Sequence, residues 1–291
     1  MLRFFKNIFL PITAIFDFIQ KYFKTVVFIT ILVFITTSKD DVKEESINLQ
    51  TINLIGPILN SESVLKKIDK AKKNTNIKGV LLLVNSPGGA VAPSIEIAYA
   101  IKELSVKKPV IVYASGAITS GSYYACIWAN KIIANPGSIV GSIGVIFQGV
   151  DLSELMSKIG IKTQTMKAGL YKEIGAVSRQ WNSFEKAELQ SVIKDTYNMF
   201  LQDVSNARNL DLKKHKEYAN GHIFTASQAR KVGLIDEVAT ISYAKNELYK
   251  LSGVKNPIWN KEDKIEKFME KFLNEASSRF LANFSSRLEA Y

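Results

Sequence analysis

Three stretches of the chain combine residue types that could carry out acyl transfer. Asn85-Ser86-Pro87-Gly88-Gly89 follows an apolar run and precedes a helical pattern. Its glycines let backbone N–H groups approach a ligand at a helix N-terminus, which suits an oxyanion or a phosphate. A Pro-Gly-Gly stretch is also a common plain turn. In Ser115-Gly116-Ala117-Ile118-Thr119-Ser120-Gly121-Ser122-Tyr123-Tyr124, Ser120 falls at the start of a helix directly after a buried strand. There its hydroxyl faces solvent, and the Gly121 N–H is placed to stabilise a tetrahedral oxyanion. The bland role for the same serine is an N-cap. Lys172 lies in Gly169-Leu170-Tyr171-Lys172-Glu173-Ile174-Gly175, at the end of a predicted strand. Partial burial there would depress its pKa and supply a neutral amine as general base; the bland alternative is an exposed loop lysine.

A serine nucleophile needs a base, and the two histidines are poor ones. His215 stands in Lys213-Lys214-His215-Lys216-Glu217, a solvated charged face, and His222 precedes Ile223-Phe224 at a turn, where a structural role is expected. If Ser120 is catalytic, a lysine is the natural partner, which makes a Ser–Lys dyad. Two histidines and the single Cys126 leave almost nothing for a metal site and exclude an intrachain disulfide.

The elements that must position these groups alternate between strand and helix. Residues 79–85 and 109–115 are continuous apolar runs, as expected of strands buried on both faces. Residues 131–136 and 162–169 read as further strands, 47–58 contains a short one, and 233–238 with the helix after it closes the domain. Helical spacing marks 61–74, 92–104, 120–130, 152–160, 183–209 and 242–251. This alternation predicts an α/β domain with a mostly parallel sheet. The 291 residues are 47% hydrophobic and 22% charged, which excludes disorder and collagen-like repeats. The net charge of +11 could suit nucleic acid or an anionic membrane surface.

The N-terminus favours the membrane. Residues 25–38 form an uncharged run, about 17 residues with Tyr22 and Phe23, at the short end of what spans a bilayer. Arg3, Lys6, Lys21 and Lys24 precede it and Lys39, Asp40 and Asp41 follow it, which predicts a cytoplasmic N-terminus and a signal anchor. No A-x-A-like cleavage site follows. The expected organisation is therefore an anchor in 1–40, a catalytic domain in 41–256, and a tail in 257–291 after Asn256-Pro257. The tail carries a helical apolar stripe with balanced charge, suited to a neighbouring subunit or its own domain.

The motifs VNSPGG, TSGSYYACIWANKIIANPGSIVGSIGV, GLYKEIG and HIFTASQARKVGLIDEV together resemble the short form of the bacterial signal peptide peptidase. That is a membrane-anchored Ser–Lys protease of peptidase family S49, within the Clp protease/crotonase superfamily. The resemblance runs from about residue 47 to residue 238. It implies a Clp protease/crotonase-like fold of repeated β-β-α units, with Ser120 as nucleophile and Lys172 as general base. It further implies Ser142 as the serine that orients the lysine, and Gly121 with Gly88 or Gly89 as oxyanion donors. Tyr123 and Tyr124 match an aromatic pair whose bland role is core packing. Two residues depart from the pattern: Ser122 replaces a glycine and becomes a rival nucleophile, and Val177 replaces a proline, although Arg179 is kept. The implied substrates are remnant signal peptides at the cytoplasmic membrane, cut on its extracytoplasmic side by a homo-oligomeric ring. No metal, organic cofactor or nucleic acid is implied. The competing readings are an acyl-CoA enzyme of the same fold, a related membrane-bound protease with other substrates, and an inactive ring-forming scaffold.

Overall fold

The computed structural model describes residues 20–37 and 47–260, which fall into two separate units. In the first, the uncharged run forms helix α1 (Phe23–Thr37), in which the Thr30 hydroxyl donates to the Val26 carbonyl at 2.7 Å. Threonine thus satisfies its own polar group inside an apolar helix. Fifteen residues rise about 22 Å, short of a hydrocarbon core of about 30 Å. Among the described residues no helix is long and apolar enough to cross a membrane. Residues 1–19 and the tail from 261 lie outside the described residues, and the expectations placed on them with them.

The second unit holds the expected α/β arrangement. Strands β1 (Leu49–Ile55), β2 (Gly79–Ser86), β3 (Val110–Thr119), β4 (Lys131–Ala134) and β7 (Glu237–Val238) lie side by side in that order, all parallel. Crossover helices α2 (Glu62–Lys73) and α3 (Val91–Lys107) connect the first three strands. Val80, Leu82, Val84, Val112 and Ala114 face one cluster, which contains α3 through Ile97, Ile101 and Leu104. Leu81, Ile111, Tyr113 and Ile133 face a smaller one closed by helix α9 (Ile241–Ser252). Both faces of the central strands are thus covered, which is why their sequences are continuously apolar. The unit continues past Asn256-Pro257: the Ile258 carbonyl accepts from Asn48 N–H and Leu49 N–H at the free edge of β1.

Strand β3 serves two sets of partners. Residues 111–114 pair with β4, and residues 117–119 pair with β5 (Ile139–Gly141), itself antiparallel to β6 (Ile223–Thr225). The register against β2 slips between Val84 and Ser86, and the Asn85 side chain fills the slip by accepting from Ala117 N–H at 3.0 Å. Two readings are corrected. The helix expected over 120–130 is the short α4 (Gly121–Cys126) followed by turns. The strand expected over 162–169 does not form, and every residue of that stretch is exposed. Alternating side chains alone do not make a strand when no neighbouring backbone is present to complete the ladder. Between α4 and α9 the chain also forms α5 (Ser153–Lys158), α6 (Ser183–Arg208), α7 (His215–Tyr218) and α8 (Ala226–Lys231).

Candidate active site

The end of β3 turns sharply into α4, and Ser120 occupies the turn with φ 54° and ψ −126°. A side chain rarely adopts this conformation, and it persists only when the surroundings impose it. Here they do. The Ser120 N–H donates to the Gly141 carbonyl at 2.7 Å, and its carbonyl accepts from Tyr124 N–H at 3.0 Å. The hydroxyl makes no capping bond to the helix, so the N-cap role is not the one this serine performs. It is half-buried, between two recesses described below. Strained strand-to-helix turns of this kind are how hydrolases present a nucleophilic serine.

Ser122, two residues further on, is too deep. It is fully buried, its single hydroxyl proton is shared between the Ser86 and Thr119 carbonyls at 2.7 and 2.8 Å, and its oxygen accepts from Thr119 N–H at 2.9 Å. With its proton engaged by backbone carbonyls, it locks β2, β3 and α4 together.

The glycine turn after β2 lies against Ser120. A Cβ on Gly88, at φ 96°, would stand 2.6 Å from Gly121 N and 2.9 Å from the Ser120 Cβ, so only glycine allows this approach. The Gly88 N–H is committed to Ser86 Oγ at 3.2 Å. The Gly89 N–H is not, and a Cβ built on Gly121 would lie 3.2 Å from Gly89 N. Gly89 is clamped by the Ile58 segment: Ile58 N–H donates to the Gly88 carbonyl and Ala90 N–H to the Ile58 carbonyl, both at 2.8 Å. Of the two glycines the sequence leaves open, Gly89 is the one with an amide to offer beside that of Gly121. Ser94, which sequence reasoning missed, donates from α3 to the Ala90 carbonyl at 2.8 Å and occupies the space a side chain on residue 121 would need. No local pattern marks it.

Two recesses meet at Ser120. One is lined by apolar groups that include Val91, Ile95, Met199 and Phe200. The other, wider, brings in Ser142, Tyr197 and Gly221. Ser142 also has positive φ, 50°, and its N–H donates to the His222 carbonyl at 2.7 Å. His222 therefore contributes its backbone to the site while its ring packs near Phe224 at 6.1 Å. His215 is half-buried, with Nδ1 3.0 Å from the Leu212 carbonyl, and it lines neither recess. Tyr123 donates to the Leu234 carbonyl at 2.7 Å, and Tyr124 donates to Asp203 while its ring meets Phe200 edge-on at 4.6 Å. Burial raises the pKa of both phenols, so they stay neutral packing groups.

Lys172 is the exception. It is exposed, not partly buried, and it lines neither recess. The predicted strand that would have delivered it is absent. It sits instead in a turn beside the start of helix α6, where the neighbouring Tyr171 ring meets Phe184 at 5.5 Å. The recesses touch the same helix between Ile193 and Phe200, about 13 Å further along its axis at the nearest. One chain thus brings together Ser120, Gly121, Gly89 and Ser142, and leaves Lys172 apart.

Residues 102–255 match the model of peptidase family S49. The chain belongs to this family. A provisionally named protease of Methanocaldococcus jannaschii is 43% identical over 190 residues, covering 65% of this chain and 61% of that protein. One from Synechocystis is 37% identical, covering 66% and 69%. A provisionally named signal peptide peptidase SppA of Enterococcus faecium is 34% identical, covering 66% and 56%. The chain thus matches between about half and two thirds of the length of these S49 relatives. A point mutant of ClpP1 from Listeria monocytogenes overlays at a TM-score of 0.46 with 16% identity, across 67% of this chain and 93% of that one.

Proposed function

We propose that this S49 member is a membrane-anchored serine endopeptidase of the short signal peptide peptidase type, with Ser120 as nucleophile and Lys172 as general base. The observation that carries the reading is the Ser120 turn: a hydroxyl free of capping bonds, in a strained conformation, beside the Gly89 and Gly121 amides. A neutral Lys172 amine takes the Ser120 proton as Oγ bonds to the peptide carbonyl carbon. The resulting oxyanion accepts from Gly89 N–H and Gly121 N–H. The C–N bond then breaks, the lysine ammonium returns a proton to the leaving amine, and water repeats the sequence on the acyl-enzyme. Ser142, on the rim of the same groove, orients the incoming amine.

Because the Lys172 turn is held at the start of α6, the base that reaches Ser120 belongs to a neighbouring copy, and a homo-oligomeric ring completes each site. The apolar recess suits an apolar side chain next to the cleaved bond, as remnant signal peptides would supply. The apolar α1 and the basic residues before it support an anchor that puts the enzyme near such material, with the catalytic unit on the extracytoplasmic side.

The test uses the full chain in detergent with a fluorogenic peptide carrying an apolar residue before the cleaved bond. Ser120→Ala and Lys172→Ala should each be inactive alone. Mixed in equal amounts and allowed to reassemble, they should regain about a quarter of wild-type turnover, because a random ring pairs an intact serine with a neighbour's intact lysine at one site in four. No recovery means the base acts within its own chain. Full activity of Lys172→Ala removes the dyad altogether.

A further inference from the structure

Between Gly144 and Phe184 not one residue is buried. This arm carries Lys172, yet has no apolar core to define its shape. What it has is a chain of charges. Lys167 Nζ lies 3.0 Å from Glu173 Oε2, Glu173 Oε2 lies 3.2 Å from Arg179 Nη2, and the Arg179 guanidinium grips Glu185 with two bonds of 2.7 and 2.8 Å. Glu185 is the first fully buried residue after the arm. Its carboxylate also accepts from Asn182 N–H at 2.8 Å, capping α6. Arg179 and that amide hold the Glu185 carboxyl down at about 2, so it remains charged throughout the working range. A buried carboxylate with one guanidinium partner is a poor source of net stability but a strict geometric constraint.

We propose that Arg179 is a positioning residue for the catalytic lysine: clamped on the buried Glu185 at the start of α6, it fixes through Glu173 the turn from which Lys172 is presented to the neighbouring copy. The inference rests on the Ser–Lys reading above and adds the part that sets the lysine's place. Glu173 is the residue directly after Lys172, so restraint of its carboxylate is transmitted to the lysine through a single peptide unit. The turn's own backbone bonds run from Lys172 N–H to Gly169 at 3.3 Å, from Ile174 N–H to Tyr171 at 3.1 Å and from Ala176 N–H to Glu173 at 3.1 Å, all within the turn itself. With valine at 177, no proline ring stiffens the segment, and Arg179 is the group that ties the Glu173 carboxylate to the buried start of α6.

The experiment compares wild type, Arg179→Lys, Arg179→Met and the double variant Arg179→Met/Glu185→Gln, full-length in detergent, by kcat, KM and the pH profile of kcat/KM. The double variant removes both charges and keeps an N3 residue able to complete the helix cap, so its melting temperature should stay near that of wild type. Its kcat should nevertheless fall about 100-fold at nearly unchanged KM, with the pH profile of kcat/KM displaced from that of wild type. Arg179→Lys keeps the charge but not the fork and should recover only part of the loss. A double variant with wild-type melting, wild-type kcat and an unmoved profile would reduce Arg179 to a structural ion pair and overturn the proposal. Lys172→Ala serves as the control: if it retains full turnover, the dyad reading falls first and the proposal with it.

Discussion

The two halves of the proposed dyad sit in regions built on opposite principles. Around Ser120, every neighbouring residue of α4 is buried, Ser122 makes three hydrogen bonds, and the glycine turn is clamped by Ile58. Around Lys172, no residue is fully buried and an ion-pair chain replaces a core. The nucleophile and its oxyanion donors must be held to fractions of an ångström before substrate arrives, which packing achieves. The base side is left open, and on the proposed reading another copy supplies its packing.

The largest test of this contrast is at α4. Ser120→Ala should lower kcat by about 10⁴- to 10⁶-fold with little change in melting temperature. Ser122→Ala should do the reverse, keeping turnover within about tenfold while melting roughly 2–10 °C lower, because buried carbonyls and an amide lose their partner. Turnover assays and thermal melts on the two proteins decide the matter; an inactive, fully stable Ser122→Ala would move the nucleophile by two residues.

Next in size is Gly121→Ala. The added methyl meets Ser94 and displaces the amide beside Gly89, so kcat should drop about 10²- to 10³-fold while KM changes little. Trimming the obstacle in Gly121→Ala/Ser94→Gly should restore part of that loss, and the absence of any recovery would show that Ser94 does not set this geometry.

A smaller effect separates two carboxylates, one at the foot of the Lys172 arm and one on α9, away from both halves of the dyad. Glu185 is lowered to about 2 by Arg179 and the Asn182 amide, and Glu247 to about 2 by Lys131 and Lys250. Both are depressed below the ordinary 4.5, so each contributes stability that is complete above pH 4.5 and is lost as pH falls toward 2. Glu247→Gln should lower the melting temperature at pH 7 and flatten its decline below pH 4.5. Glu185→Gln should flatten that decline too, and should also reduce turnover at pH 7. Melting curves at several pH values with parallel assays check both, and equal effects on turnover would erase the distinction.

The smallest effect concerns the apolar recess. Met199→Ala enlarges it at its half-exposed edge and should shift preference toward a bulkier apolar residue by about tenfold in kcat/KM ratio. A peptide series differing in that residue alone measures it.

Much of the site was legible because its parts are local. Residues 79–85 and 109–115 had to be buried strands, and the glycine turn and Ser120 follow them directly. The choice between Ser120 and Ser122 was not legible, because it depends on Ser86, 36 residues earlier, accepting the Ser122 hydroxyl. The same holds for Gly88 against Gly89, which Ser86 decides by taking up one amide. The strand read over 162–169 and the burial read for Lys172 failed together: both assumed a neighbouring backbone that the chain does not place there.

By itself, then, the sequence determined the central strands and the helices between them, the family, and the residue types available for chemistry, since these follow from short-range hydrophobic pattern and motif. The tertiary structure alone decided which serine keeps a free hydroxyl, which glycine keeps a free amide, and that the lysine lines neither recess beside them. Those outcomes depend on hydrogen-bond partners distant in the chain, and each polar group can satisfy only as many partners as its donors and acceptors allow.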